Sequence, residues 1–117
     1  MERKLEHRIT ELLNDMEVPY HCKGFQNLKL AIALVVRDEY LLGAVTKELY
    51  PEVAKMNRTT VFGVERSIRN AIDLAWGLPD KPQDDKLYRF TFRNSKGRPT
   101  NRQLIAITSE KLRQEGL

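Results

Sequence analysis

Tyr50-Pro51-Glu52-Val53-Ala54-Lys55-Met56, then Asn57-Arg58-Thr59, then Thr60-Val61-Phe62-Gly63-Val64-Glu65-Arg66-Ser67-Ile68-Arg69-Asn70-Ala71-Ile72-Asp73-Leu74-Ala75-Trp76 read as a short helix, a tight turn and a longer helix. Proline fits the first turn of a helix, where its missing N–H costs nothing. Thr59 or Thr60 can cap the longer helix through a hydroxyl, and Gly77 and Pro79 stop it. At about 100° per residue, Val64, Ile68, Ala71, Ile72 and Ala75 share one side and are expected to pack inward. Phe62, Glu65, Arg66, Arg69, Asn70 and Asp73 fall on the other. The layout is that of a helix-turn-helix, which by itself many helical domains contain.

The outer-face residue types suit base reading. The arginine fork matches the O6 and N7 acceptors of guanine in the major groove, and a glutamate accepts from the N4 amino group of cytosine. Arg66 and Arg69 lie in the half of the helix that enters the groove in such motifs. The bland alternative is a solvated face on which Glu65 and Arg69 form an i,i+4 ion pair, worth only about 0.2–0.5 kcal/mol.

Outward from this core, apolar residues at Leu5, Ile9, Leu12, Leu13 and Met16 predict a first helix over 2–16, closed by Val18-Pro19. A second is expected over 25–37, with Leu28, Ile32, Val35 and Val36 inward and Gly24 in the preceding connection. A third is expected over 39–49 on Leu41, Leu42, Val45 and Leu49. Thr100 and Gln103 form a capping box that opens a last helix ending near Gly116. Between them, 77–86 reads as a loop. Leu87 to Arg93 alternates like a strand but has no pairing partner, and is read as an extended stretch whose Tyr88, Phe90 and Phe92 anchor it. The class is therefore all-α, with about six helices in a single domain over 1–117.

A chain of 117 residues can bury a real core without disulfide or metal. The one cysteine, Cys22, excludes an internal disulfide, and no second Cys/His pair stands at zinc spacing. His21-Cys22 lacks an orienting third group for thiol catalysis. No glycine-rich phosphate loop, nucleophile elbow or acid pair stands out. No enzyme activity and no cofactor are expected, and no apolar run suits a membrane span. A cytoplasmic protein is the expectation.

The formal net charge is +4. Residues 1–57 hold 8 basic and 9 acidic side chains, whereas residues 58–117 hold 12 basic and 7 acidic. Between Asp85 and Glu110 lie Lys86, Arg89, Arg93, Lys96, Arg98 and Arg102 with no acid among them. Such a lopsided field attracts a polyanion, for which nucleic acid is the commonest candidate.

Leu-Leu-Gly-Ala-Val-Thr-Lys-Glu-Leu-Tyr-Pro-Glu-Val-Ala-Lys (41–55), Thr59-Thr60 and Val-Glu-Arg-Ser-Ile-Arg-Asn-Ala-Ile-Asp-Leu-Ala-Trp (64–76) resemble the DNA-binding effector domain of the stage 0 sporulation protein A family of endospore-forming bacteria. Val-Pro-Tyr-His-Cys-Lys-Gly-Phe (18–25) and Lys-Gly-Arg-Pro-Thr-Asn (96–101) are similar to it as well. The resemblance implies six helices of the winged-helix-like or response-regulator effector type, with the helix-turn-helix in the fourth and fifth. It also implies transcriptional control through elements of the TGTCGAA type. The family's base-contacting Glu, Arg and Arg match Glu65, Arg66 and Arg69, with Asn70, which stands where the family pattern has histidine, as a further candidate. Gly63 departs in the same helix, where the pattern has arginine. No receiver domain with its phosphorylated aspartate lies in this sequence. The expectation is therefore a stand-alone relative, or an effector domain cut from a longer protein.

Candidate phosphate contacts are Lys55, Arg58, Thr59 and Thr60 around the helix start, and Arg98, Asn101 and Arg102 around the start of the last helix. The expected partner is double-stranded DNA, bound at the nucleoid. A homodimer on tandem sites, and RNA polymerase or a related regulator, are the candidate protein partners. The rival readings are a helical protein-interaction module, such as an antagonist of a full-length regulator, and a nonspecific nucleic-acid binder using the 86–102 strip.

Overall fold

The computed structural model describes residues 2–77 and 98–117. The expected stretch 87–93, its anchoring aromatics, and the basic residues Lys86, Arg89, Arg93 and Lys96 lie outside the described residues. The described elements, in order, are α1 (Arg3–Asp15), α2 (Lys23–Arg37), a 3-10 turn (Glu39–Gly43), a π turn (Val45–Leu49), α3 (Tyr50–Met56), α4 (Val61–Trp76) and α5 (Asn101–Gln114). Among the described residues there is no strand, and the fold is all-helical.

Helix α2 runs through the middle, packed against α1, α4 and α5. Its Phe25, Leu28, Ile32 and Val35 are fully buried. They meet the apolar stripes of α1 (Leu5, Ile9, Leu12, Leu13), α4 (Val64, Ile68, Ile72) and α5 (Leu104, Ile105, Leu112) in one core. Each stripe recurs at three- and four-residue spacing, so one face of every helix is apolar and only that face is removed from water.

Two of the sequence expectations are corrected. Residues 39–49 form no α-helix. Ala44, at φ −144° and ψ 50°, breaks the run. Before it, the Ala44 N–H reaches back three residues to the Leu41 carbonyl, and after it the Leu49 N–H reaches back five to the Ala44 carbonyl. Leu41, Leu42 and Val45 are only half-buried against the core, so little packing energy favours regular turns there. Among the described residues the α-helices number five, where about six were expected for the whole chain. Helix α2 also starts at Lys23, not at Phe25, and Gly24 lies inside it rather than in the connection.

That glycine fixes the α2–α4 crossing. A Cβ on Gly24 would sit 2.2 Å from the Ser67 carbonyl oxygen and 2.6 Å from the Ala71 Cβ. Only hydrogen leaves room for the two backbones to approach this closely.

Helix ends are closed by one recurring device. In α1, α3 and α5 the second residue past the cap donates its N–H to a carbonyl five residues back: Val18 to Leu13, Thr59 to Ala54 and Leu117 to Leu112. The residue between cap and donor takes a left-handed conformation in each case. Gly116 does so freely, while Glu17 (φ 64°) and Arg58 (φ 55°) do so with a side chain attached.

Candidate nucleic-acid interface

The short helix α3 opens with Pro51 in its first turn and ends at Met56. The turn 57–60 carries the chain into α4, whose cap is Thr60. Its hydroxyl accepts the Gly63 N–H at 2.9 Å, and its carbonyl accepts the Val64 N–H. The next donors at a helix start, the N–H groups of Val61 and Phe62, have no partner within the helix and point out of its end. Gly63 sits beneath the threonines, since a Cβ there would lie 2.7 Å from the Thr59 hydroxyl oxygen and 3.1 Å from that of Thr60.

Helix α4 sorts its side chains as expected. Val64, Ile68, Ala71, Ile72, Ala75 and Trp76 are buried, while Phe62, Arg66, Arg69 and Asn70 are exposed and Glu65 half-buried. Glu65 and Arg69 form an ion pair through Oε1 and Nη1. Among the described residues, Lys55, Arg58 and Arg66 form no ion pair although each is exposed. The outer face thus offers one arginine held by a carboxylate and one held by nothing.

Behind this face runs a part-buried polar chain, centred on the buried Asn27, that the sequence reading missed. Asn57 Nδ2 donates to Asn27 Oδ1 at 2.9 Å, and Asn27 Nδ2 donates to Ser67 Oγ at 2.7 Å. Ser67 Oγ in turn donates to the Val64 carbonyl at 3.0 Å. Asn27 is 5% exposed, so its amide depends on these partners. The chain joins α2, the turn and α4, and so sets the angle at which α4 is presented. An amide beside Leu28, on the side of α2 that the apolar spacing turns inward, was the available signal.

The residues around the start of α5 are brought to the same side but are already engaged. The Asn101 amide donates to the Glu65 carbonyl at 3.0 Å and to the Tyr50 hydroxyl at 3.2 Å. Burial pushes the Tyr50 phenol up from its ordinary value, and the Asn101 hydrogen bond offsets part of that. Arg98 pairs with Asp73 at 2.9 Å, and Arg102 Nε donates to the Leu42 carbonyl at 3.0 Å. Thr100 and Gln103 complete the expected capping box. A cleft of about 590 Å³ opens here, lined by Tyr50, Glu65, Arg69, Arg98 and Asn101 among others. Asn101 therefore ties α5 to the helix-turn-helix, whereas the guanidinium groups of Arg98 and Arg102 remain on the surface.

His21 is exposed, and the half-buried Cys22 donates its thiol to the Pro19 carbonyl at 3.0 Å. Among the described residues no three His, Cys, Asp or Glu side chains gather to hold a metal. No helix among them is long and apolar enough to cross a membrane.

The family model described as "Sporulation initiation factor Spo0A C terminal" matches residues 9–112. The chain belongs to this family. The Spo0A C-terminal family is a DNA-binding family and not an enzyme family, so this chain is the effector domain of a sporulation regulator that acts in transcription. The match runs from within α1 to the last turns of α5, and so takes in the α3–α4 pair and the α5 start that braces it.

Proposed function

We propose that the chain reads double-stranded DNA by inserting the outer face of α4 into the major groove of a TGTCGAA-type element. The observation that carries this reading is the exposed, unpaired guanidinium of Arg66 on the outer stripe of a helix whose inner face is wholly buried. Arg66 and Arg69 match the guanines of such an element and Glu65 its cytosine, with each good base contact worth about 1–3 kcal/mol of discrimination. In the free protein Glu65 holds Arg69 in place, and on the duplex both turn to bases. Asn70 stands beside them on the same face.

Lys55, Arg58 and the hydroxyls of Thr59 and Thr60 surround the open start of α4, where a phosphate is favoured by the helix dipole and free N–H groups. Arg98 and Arg102 supply backbone contacts on the other side through guanidinium N–H groups not used within the fold. Asn101 acts indirectly, by holding the start of α5 against Glu65 and Tyr50. One small domain on one element binds modestly, and tandem elements carrying two copies raise occupancy. The setting for this activity is the bacterial cytoplasm, at the nucleoid.

Fluorescence anisotropy with a TGTCGAA duplex and a scrambled duplex of equal composition, at two salt concentrations, tests the reading. A preference that survives the higher salt is expected. Equal, steeply salt-dependent binding to both would reduce the function to backbone attraction, and binding to neither would point to a protein partner.

A further inference from the structure

The first turn of α4 carries a feature that the arginine reading does not use. Phe62 is 66% exposed, although burying a phenylalanine ring is worth about 1.5–3 kcal/mol to a fold. Its position is not that of a stray surface residue. Phe62 precedes Arg66 by four positions and Arg69 by seven, so the three side chains form one stripe along the helix. Phe62 is the member nearest the N-terminal end, the part of a recognition helix that goes deepest into the groove. Gly63 beside it has no side chain, so the ring stands clear on that flank.

The surroundings decide what the ring would meet. A protein partner anchored on an aromatic residue surrounds it with a core depleted of charge. Here the neighbours on the exposed face are Thr59, Thr60, Arg66, Arg69 and Asn70, all polar and two of them cationic. A single ring set in a cationic, hydrogen-bonding face matches a surface that is polyanionic and polar but carries isolated apolar points. The major groove is such a surface, and its apolar point is the C5-methyl group of thymine.

We propose that Phe62 reads a thymine methyl group and is a specificity-determining residue beside Arg66 and Arg69. This rests on α4 being the recognition helix, and it adds a base class that neither arginine can recognise.

The test begins with the duplex that the chain enriches from a randomised pool. Each thymine of both strands is replaced singly by deoxyuridine, which removes the methyl and leaves every hydrogen-bonding edge intact. At one position the affinity of the unmodified chain is expected to fall about fourfold, the worth of one buried methyl. Phe62→Ala should lower affinity for the thymine duplex by a similar factor and bind the thymine and uracil duplexes equally, while Phe62→Leu should keep part of the difference. A uracil scan with no position changing affinity by more than about twofold would overturn the proposal, as would a Phe62→Ala variant that still prefers thymine. If the variant does not fold, the uracil scan of the unmodified chain decides alone. A flat scan on a duplex whose preference still depends on Arg66 would remove the Phe62 role and leave the recognition helix standing. Failure to enrich any duplex would remove both.

Discussion

On its inner side α4 places Val64, Ile68, Ala71, Ile72 and Ala75 against the core, with Gly24 of α2 pressed on the Ser67 carbonyl and Asn27 bonded to the Ser67 hydroxyl. On its outer side the same helix presents Phe62, Arg66, Arg69 and Asn70 to water, and of these four Arg69 alone has a charged partner among the described residues. The far end of the molecule is built like the inner side. Arg8 of α1 and Glu115 past α5 form a two-pronged pair at 2.8 and 3.0 Å, Lys29 pairs with Glu6 at 2.8 Å, and Arg113 with Glu110 at 2.8 Å. In these pairs opposite charges satisfy one another within the fold. Where α4 is proposed to meet DNA, charge and apolar surface are left open.

The contrast can be broken most forcefully from the inner side. Gly24→Ala puts a methyl group into backbone at 2.2 Å, and forcing the helices apart should cost about 3 kcal/mol in denaturant unfolding. An unchanged midpoint would mean that the close crossing is not what fixes α4. Asn27→Ala interrupts the chain from Asn57 to Ser67 in a buried place, and a loss of about 2 kcal/mol is expected. Its effect on DNA should be a uniform loss of affinity, because the turn that aims α4 is loosened while its bases are still read.

Arg58 lies on the boundary between the two regimes. It occupies a left-handed position where glycine is the usual choice, at a cost of order 1 kcal/mol. Arg58→Gly should therefore raise stability by up to about 1 kcal/mol while lowering affinity equally on all sequences. The slope of log affinity against log salt should fall by about 0.9. Lower stability in this variant would show that the Arg58 side chain supports the turn.

The smallest effect belongs to the far end. Arg8 holds the Glu115 carboxyl below its ordinary value by hydrogen bond and charge. A carboxylate depressed by folding contributes stability that is present above its unfolded pKa and lost as pH falls through the folded one. Stability should thus decline below about pH 4 to 5, by less than about 1 kcal/mol for this partly exposed pair. Glu115→Gln should flatten that part of the pH profile, and DNA discrimination at neutral pH should not move. A change in discrimination would link the two ends of the molecule.

Much of α4 could be read before any coordinates. Its buried set follows from helical period, a threonine cap at 59 or 60 from hydroxyl chemistry, and the α5 start from the Thr100–Gln103 pair. What escaped the sequence depends on approach between distant segments. Gly24 looks like a linker glycine until Ser67 and Ala71 are placed opposite it. Asn27 becomes structural only once Asn57 and Ser67 surround it. Asn101 looks like a phosphate ligand by composition, yet its amide is spent on Glu65 and Tyr50. The stretch 39–49 has the apolar spacing of a helix, but spacing does not reveal that Leu41, Leu42 and Val45 reach only the margin of the core while Leu49 alone is fully buried.

Arg66→Ala is the most direct trial of the central claim, that the open outer face of α4 reads bases. Affinities of the unmodified and Arg66→Ala proteins would be measured by anisotropy for the TGTCGAA duplex and its scrambled counterpart. The expected result is a loss of about 1–3 kcal/mol of discrimination, confined to the TGTCGAA duplex, with unfolding unchanged within about 0.5 kcal/mol. The same small loss on both duplexes would contradict it, and Arg66 would then be one more cation on a backbone.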